Sequence, residues 1–242
     1  LDALVGTSVW VKRDDMTGGA EAGNKLRKLE YLMADAMAAR ATVIVTCGGV
    51  QSNHARATAI VAARLGLSSC LLLRSATPDL MPPPTGNLLL DRMVGAEVRL
   101  ISAEDYRQRT LVMARAADDL AARGQRAYVI PEGGSNALGS LGYVDAMREV
   151  REQLDLGLGG GPRAFDSVVF ACGSGGTAAG VVLGAAEWDV APQAHAMAVC
   201  DDAPYFERVV GRIAIQAQGL APALDRMAKL CVVDRFKGPG YG

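Results

Sequence analysis

Six short runs of apolar and β-branched residues, at 42–46, 69–73, 97–101, 126–130, 167–171 and 195–200, are nearly continuous in hydrophobicity rather than alternating. Runs of this kind suit strands covered on both faces, the condition of a parallel sheet wrapped by helices. Between them the period changes. Leu26, Leu29, Met33, Ala36 and Arg40 recur at three- and four-residue spacing and predict an amphipathic helix that begins near Asn24. Further helices are predicted at 52–65, 85–93, 104–123, 136–154 and 177–188. Strand alternating with helix gives the α/β class. The Gly-rich stretch 156–161 reads as a linker that separates four strand–helix units from at least two more, so two α/β lobes are expected with a ligand between them.

With 242 residues, 50% of them hydrophobic, and a formal net charge of −1, the chain has enough apolar material for a large core. No basic run provides a nucleic-acid footprint or a patch for a membrane surface. No stretch reaches the roughly 18 to 20 apolar residues of a membrane span, and no secretory signal opens the chain. A cytoplasmic protein with a small-molecule partner is therefore expected. Cys47, Cys70, Cys172, Cys200 and Cys231 lack C-x-x-C spacing and fall mostly in apolar runs, which predicts buried free thiols and no metal site. The chain begins with Leu and stops at Gly-Pro-Gly-Tyr-Gly, turn residues that close no hydrophobic element, and so reads as a fragment.

Four segments carry candidate chemistry. Residues 9–29 run from a short strand through a Gly-rich loop to a helix that starts at Lys25. A lysine beside a helix N-terminus and other cations, here Lys28, has its charged form disfavoured, which suits a Schiff-base nucleophile; the competing reading is two solvated lysines. At 46–56 a strand ends in two glycines and a helix opens with Ser52, Asn53 and His54, where free N–H groups could receive a carboxylate or phosphate. Ordinary capping by Ser and Asn explains the same residues. At 168–180 a strand runs into Gly173, Ser174, Gly175, Gly176 and Thr177 and then a helix, which predicts a phosphate cradle. That stretch also fits the dinucleotide pattern G-x-G-x-x-A, with Asp201 and Asp202 following the next strand as ribose-binding acids, so a nicotinamide-dependent oxidoreductase is the competing class. A dinucleotide motif usually marks the first strand of its domain, and several strand–helix units precede this one. Tyr241, in the terminal turn segment, is a candidate acid, base or ring-stacking group.

Taken together, G-N-K-L-R-K-L-E-Y-L, Q-S-N-H-A-R, P-T-G-N-L-L-L-D-R, P-E-G-G-S-N-A-L-G, C-G-S-G-G-T and G-P-G-Y-G occur in order across essentially the whole chain. They closely resemble the D-cysteine desulfhydrase and 1-aminocyclopropane-1-carboxylate deaminase family of pyridoxal-phosphate (PLP) enzymes. The resemblance implies a two-lobed tryptophan-synthase-β-like, fold-type II architecture, with residues 1–30 and 141–242 forming a larger cofactor-binding lobe and 31–140 a smaller one. It further implies Lys25 bonded to C4′ of PLP, the phosphate held by Gly173 to Thr177, and Asn53 on the pyridine 3-hydroxyl. Ser52, Asn53 and His54 would hold the substrate carboxylate, and Ser52 and Tyr241 would join Lys25 in catalysis. A homodimer is also implied.

The implied reaction is elimination or deamination of a small amino acid. D-Cysteine would give pyruvate, ammonia and sulfide; the cyclopropane acid would give 2-oxobutyrate and ammonia. P-E-G-G-S-N-A-L-G and His54 resemble desulfhydrases more than deaminases, which favours D-cysteine; a cysteate sulfo-lyase shares the same motifs. Set against the family's pattern, a short lead strand and a C-terminal segment with a second tyrosine are missing. The loss of strands and a helix from one lobe would expose apolar surface, so poor solubility is expected.

Overall fold

The structure is a computed structural model and describes residue 2, residues 6–158 and residues 163–238. Four strands, β1 (Val43–Gly49), β2 (Ser68–Arg74), β3 (Glu97–Ile101) and β4 (Ala127–Val129), form a first sheet in the order β3-β2-β1-β4 with every pair parallel. Helices cover both faces. On one, Leu29, Leu32, Met33 and Ala36 of helix α1 (Lys25–Ala38) pack with Ile44, Ile130 and Ala57 of α2 (Asn53–Arg64). On the other, Val43, Val45, Cys47, Cys70 and Leu72 meet Met113, Ala116 and Leu120 of α5 (Arg109–Ala122). Both faces being dry, β1 has no position to spare for a polar residue until Thr46, whose hydroxyl donates to the Ile130 carbonyl at 2.8 Å. Helices α3 (Gly86–Met93) and α4 (Ala103–Arg107) complete this unit.

A second sheet, in the order β5-β6-β7 and again parallel, contains β5 (Val168–Cys172), β6 (Gln193–Ala198) and β7 (Lys229–Val233). Its core joins α6 (Ala137–Asp155), α7 (Gly176–Glu187) and α8 (Ala203–Leu220) through residues such as Met147, Val182, Leu183, Phe206, Val210 and Ile213. The architecture is the expected α/β one with parallel sheets flanked by helices.

One α-helix and one strand go beyond those read from the pattern, α8 and β7, and the short strand expected at the head of residues 9–29 is not formed. The signal for α8 was present: Asp202 accepts from the Tyr205 N–H at 2.9 Å, Pro204 sits in the first turn, and Phe206, Val210, Ile213, Ala214 and Ala217 form a buried stripe at helical spacing. Asp202, a candidate ribose acid in the sequence, is thus a helix cap. The helix expected over 104–123 is two helices, α4 and α5, because the chain leaves helical geometry at Gln108 (φ −98°, ψ 23°). All five cysteines are free, with Cys47, Cys70 and Cys172 buried. Among the described residues no helix is long and apolar enough to cross a membrane.

Candidate active site

The carboxyl ends of β1, β4 and β5 and the start of α1 converge on a cavity of about 1710 Å³ between the two sheets. Parallel strands all release their chains at the same edge, so helix N-termini gather there. From β1 the chain passes Gly48 and Gly49 to Ser52, the N-cap of α2, whose hydroxyl accepts from the Ala55 N–H at 3.2 Å. Capping therefore occupies the Ser52 oxygen, while the N–H groups of Asn53 and His54 precede the first hydrogen bond of the helix. Asn53 accepts at Oδ1 from the Asn87 amide at 3.0 Å.

The His54 ring turns into the first sheet. Its Nε2 lies 2.9 Å from Thr46 Oγ1 and the residue is 4% exposed. Burial, with repulsion from Lys25 and Lys28 added, pushes its pKa down to about 3, so the ring is neutral at pH 7. Its side chain packs rather than reaching out with a charge.

Beyond β5, Gly175 adopts φ 84° as the N-cap of α7, and Gly176 and Thr177 open the helix. The Gly176 N–H is already given to Ser135 Oγ at 3.2 Å, and the Ser135 and Ser174 hydroxyls are 2.8 Å apart. Thr177 Oγ1 is buried and has no partner among the described residues. Leaving such a hydroxyl dry costs about 1–3 kcal/mol, which an incoming acceptor would recover. The loop after β4 buttresses this cradle: Gly133 holds φ +65°, and a Cβ there would stand 2.4 Å from Ser174 Oγ.

Lys25 is the first residue of α1, with Nζ donating to Asn24 Oδ1 at 3.0 Å. Desolvation lowers its pKa. Lys28, one turn on, is fully buried and donates to the Gly133 carbonyl at 3.0 Å and to Ser135 Oγ at 3.2 Å. Its pKa lies well below the ordinary value through burial first and then Lys25. Among the described residues neither lysine has a carboxylate partner. Two amines without a carboxylate partner among the described residues, beside a glycine-and-hydroxyl cradle, form a site suited to an anion with more than one charge. PLP, with an aldehyde for Lys25 and a phosphate for the cradle, fits these residues.

The start of α1 is fixed by a set of ion pairs and a tyrosine hydroxyl. Arg27 bonds Asp14 and Glu149 in two forked pairs at 2.9–3.0 Å, and the Tyr143 hydroxyl donates to Asp14 at 2.9 Å. Sequence reasoning treated Lys28 only as a neighbouring charge and did not single out Ser135, Arg27 or Asp14. For Lys28 a signal existed, since it lies beside Leu29 and Leu32 on the apolar stripe of its helix. Ser135 gave none without knowledge of which loops meet. Tyr241 lies outside the described residues.

Residues 1–236 match the family model described as pyridoxal-phosphate dependent enzyme. The chain is 43% identical over 248 residues to the Arabidopsis thaliana bifunctional D-cysteine desulfhydrase/1-aminocyclopropane-1-carboxylate deaminase, mitochondrial, covering 98% of this chain and 58% of that relative. It is 40% identical over 248 residues to the D-cysteine desulfhydrase of Serratia proteamaculans, covering 100% of this chain and 72% of that one. A crystal structure of an ACC deaminase homologue superposes with a TM-score of 0.81 at 35% identity, covering 96% of this chain and 68% of that one. The chain thus spans a little over half the length of its Arabidopsis relative.

Proposed function

Because the chain belongs to the pyridoxal-phosphate-dependent enzyme family, we propose that it contributes the PLP site of a lyase or deaminase of small amino acids, with D-cysteine as substrate. The observation that carries this reading is Lys25, an amine at a helix start whose pKa is lowered by burial and which faces no acid among the described residues. A lysine whose charged form is disfavoured by burial is the readier nucleophile towards an aldehyde and base towards a Cα proton. Bound here, PLP supplies an electron sink for the charge that develops at Cα.

The chain's own residues take distinct tasks. The N–H groups and hydroxyls of Gly173, Ser174, Gly175 and Thr177, with the Lys28 amine beneath them, hold the phosphate. Gly176 acts through Ser135, its own N–H being spent. Asn53 donates to the pyridine 3-oxygen. The free N–H groups at the start of α2, at Asn53 and His54, hold the substrate carboxylate, and Ser52 shapes that turn and borders the reacting group. Lys25 takes the Cα proton, the electron pair left at Cα expels the sulfur of the neighbouring carbon as hydrosulfide, and the overall change is D-cysteine plus water to pyruvate, ammonia and hydrogen sulfide. Tyr241 belongs to this proposal as an acid or base at the site. D-Cysteine is favoured over the cyclopropane acid by His54 and the P-E-G-G-S-N-A-L-G loop. The homodimer rests on the family resemblance.

Absorbance of the purified protein with added PLP tests the site. A visible band that borohydride bleaches in the wild type and that is absent in Lys25→Ala is expected, followed by sulfide release from D-cysteine. A band that persists in Lys25→Ala would overturn the assignment of the lysine; 2-oxobutyrate from the cyclopropane acid with no sulfide from D-cysteine would overturn the substrate.

A further inference from the structure

The start of α3 is bound to the start of α2 by a set of amide contacts that the proposed chemistry does not use. The Asn87 side-chain amide spends both of its N–H groups there, one on the Gln51 carbonyl at 2.7 Å and the other on Asn53 Oδ1 at 3.0 Å. Its own Oδ1 faces Arg56 Nη1 at 3.5 Å, and Arg56 in turn donates to the Ala22 carbonyl at 2.8 Å. The Gln51 side chain returns the grip: its Nε2 donates to the Thr85 carbonyl at 3.1 Å and its Oε1 accepts the Asn87 N–H at 2.8 Å. Gly86, at φ +55°, makes room for this, because a Cβ there would stand 2.5 Å from Gln51 Oε1.

These contacts decide which way round two amides sit. The Gln51 carbonyl can only accept and Arg56 offers only donors, so together they fix the two ends of the Asn87 amide and turn its nitrogen towards Asn53. Asn53 must then accept at Oδ1, and its Nδ2 is left to the cavity that Asn53 lines. We infer that Asn87 is a positioning residue, which locks the Asn53 amide so that a donor rather than an acceptor faces the cofactor's 3-oxygen. The inference rests on the PLP reading of Asn53 and adds to it the reason that the amide cannot turn. A donor at that position stabilises the anionic form of a phenolic oxygen; an acceptor would repel it.

The test uses the full chain reconstituted with PLP and reads two quantities, the affinity for PLP by fluorescence titration and the pH midpoint of the visible band. Asn53→Ala, Asn87→Ala, Asn87→Asp and the double alanine variant are compared, with thermal unfolding of each apo protein as the control for folding. Asn87→Ala is expected to move the pH midpoint in the same direction as Asn53→Ala and to weaken PLP about tenfold. In the Asn53→Ala background the same change should have no further effect. Asn87→Asp keeps the volume but cannot donate, so the Asn53 amide would turn and present its oxygen, giving a larger loss than alanine. If Asn53→Ala moves both quantities while both Asn87 variants behave as wild type, the positioning role is wrong and the Asn53 reading stands. If Asn53→Ala itself moves neither, the Asn53 reading fails and the role of Asn87 falls with it.

Discussion

The hydroxyl of Ser135 lies 2.8 Å from that of Ser174, and this contact ties the loop after β4 in one sheet to the loop after β5 in the other. Ser135 also receives Lys28 and the first N–H of α7. One hydroxyl thus links the lysine helix, the buttressing loop and the anion cradle, and its geometry depends on Gly133.

Gly133→Ala should therefore damage the cradle and the fold together. Its φ of +65° costs a non-glycine residue about 1–3 kcal/mol, and the added Cβ would stand 2.4 Å from Ser174 Oγ. We expect urea unfolding to show a loss of at least that size, and PLP affinity to fall. A wild-type unfolding midpoint would mean that the two loops separate freely.

Lys28→Met removes a buried amine of nearly the same length. Inorganic phosphate at millimolar concentration should raise the melting temperature of the wild-type apo protein, since a ligand of the native state alone stabilises it by mass action. In Lys28→Met that rise should shrink to less than half. An undiminished rise would take Lys28 out of the anion site.

Asp91 is fully buried with neither carboxylate oxygen partnered among the described residues, and burial raises its pKa to about 7 against the pull of Arg56. The folded state then binds a proton that the unfolded state releases near pH 4, so this contribution to stability is full below pH 4 and is lost as pH rises to 7. At about 1.4 kcal/mol per unit, Asp91→Asn should flatten the decline between pH 5 and 7 by roughly 2 kcal/mol. Parallel stability curves for the two proteins would show that Asp91 ionises without cost.

Val169, 64% exposed on the edge strand β5, marks an apolar surface of the second sheet, and Val11, 61% exposed, also lines the cavity. Exposed apolar edges template association. Light scattering of the 242-residue chain should rise with concentration, and Val169→Lys should suppress the rise. A monodisperse wild type at high concentration would contradict this.

Hydrophobic continuity and helical spacing were enough to determine the α/β class, six of the seven strands described here and the lysine-bearing helix, because local period reports which faces are dry before the chain folds. The same reading singled out Lys25, Asn53 and the Gly173–Thr177 stretch as candidates, since glycine runs at strand ends are local features. It placed no helix over residues 203–220, although Asp202 and the Phe206 stripe signal one. What the tertiary structure alone decided is which loops meet. Ser135 reaches Ser174 across 39 positions, Lys28 reaches Gly133 across 105, and Asn87 reaches Asn53 across 34. Contacts at such separations depend on how two sheets and their helices pack, and no local pattern encodes them. The burial that neutralises His54 and lowers the pKa of Lys25 and Lys28 comes from that same packing.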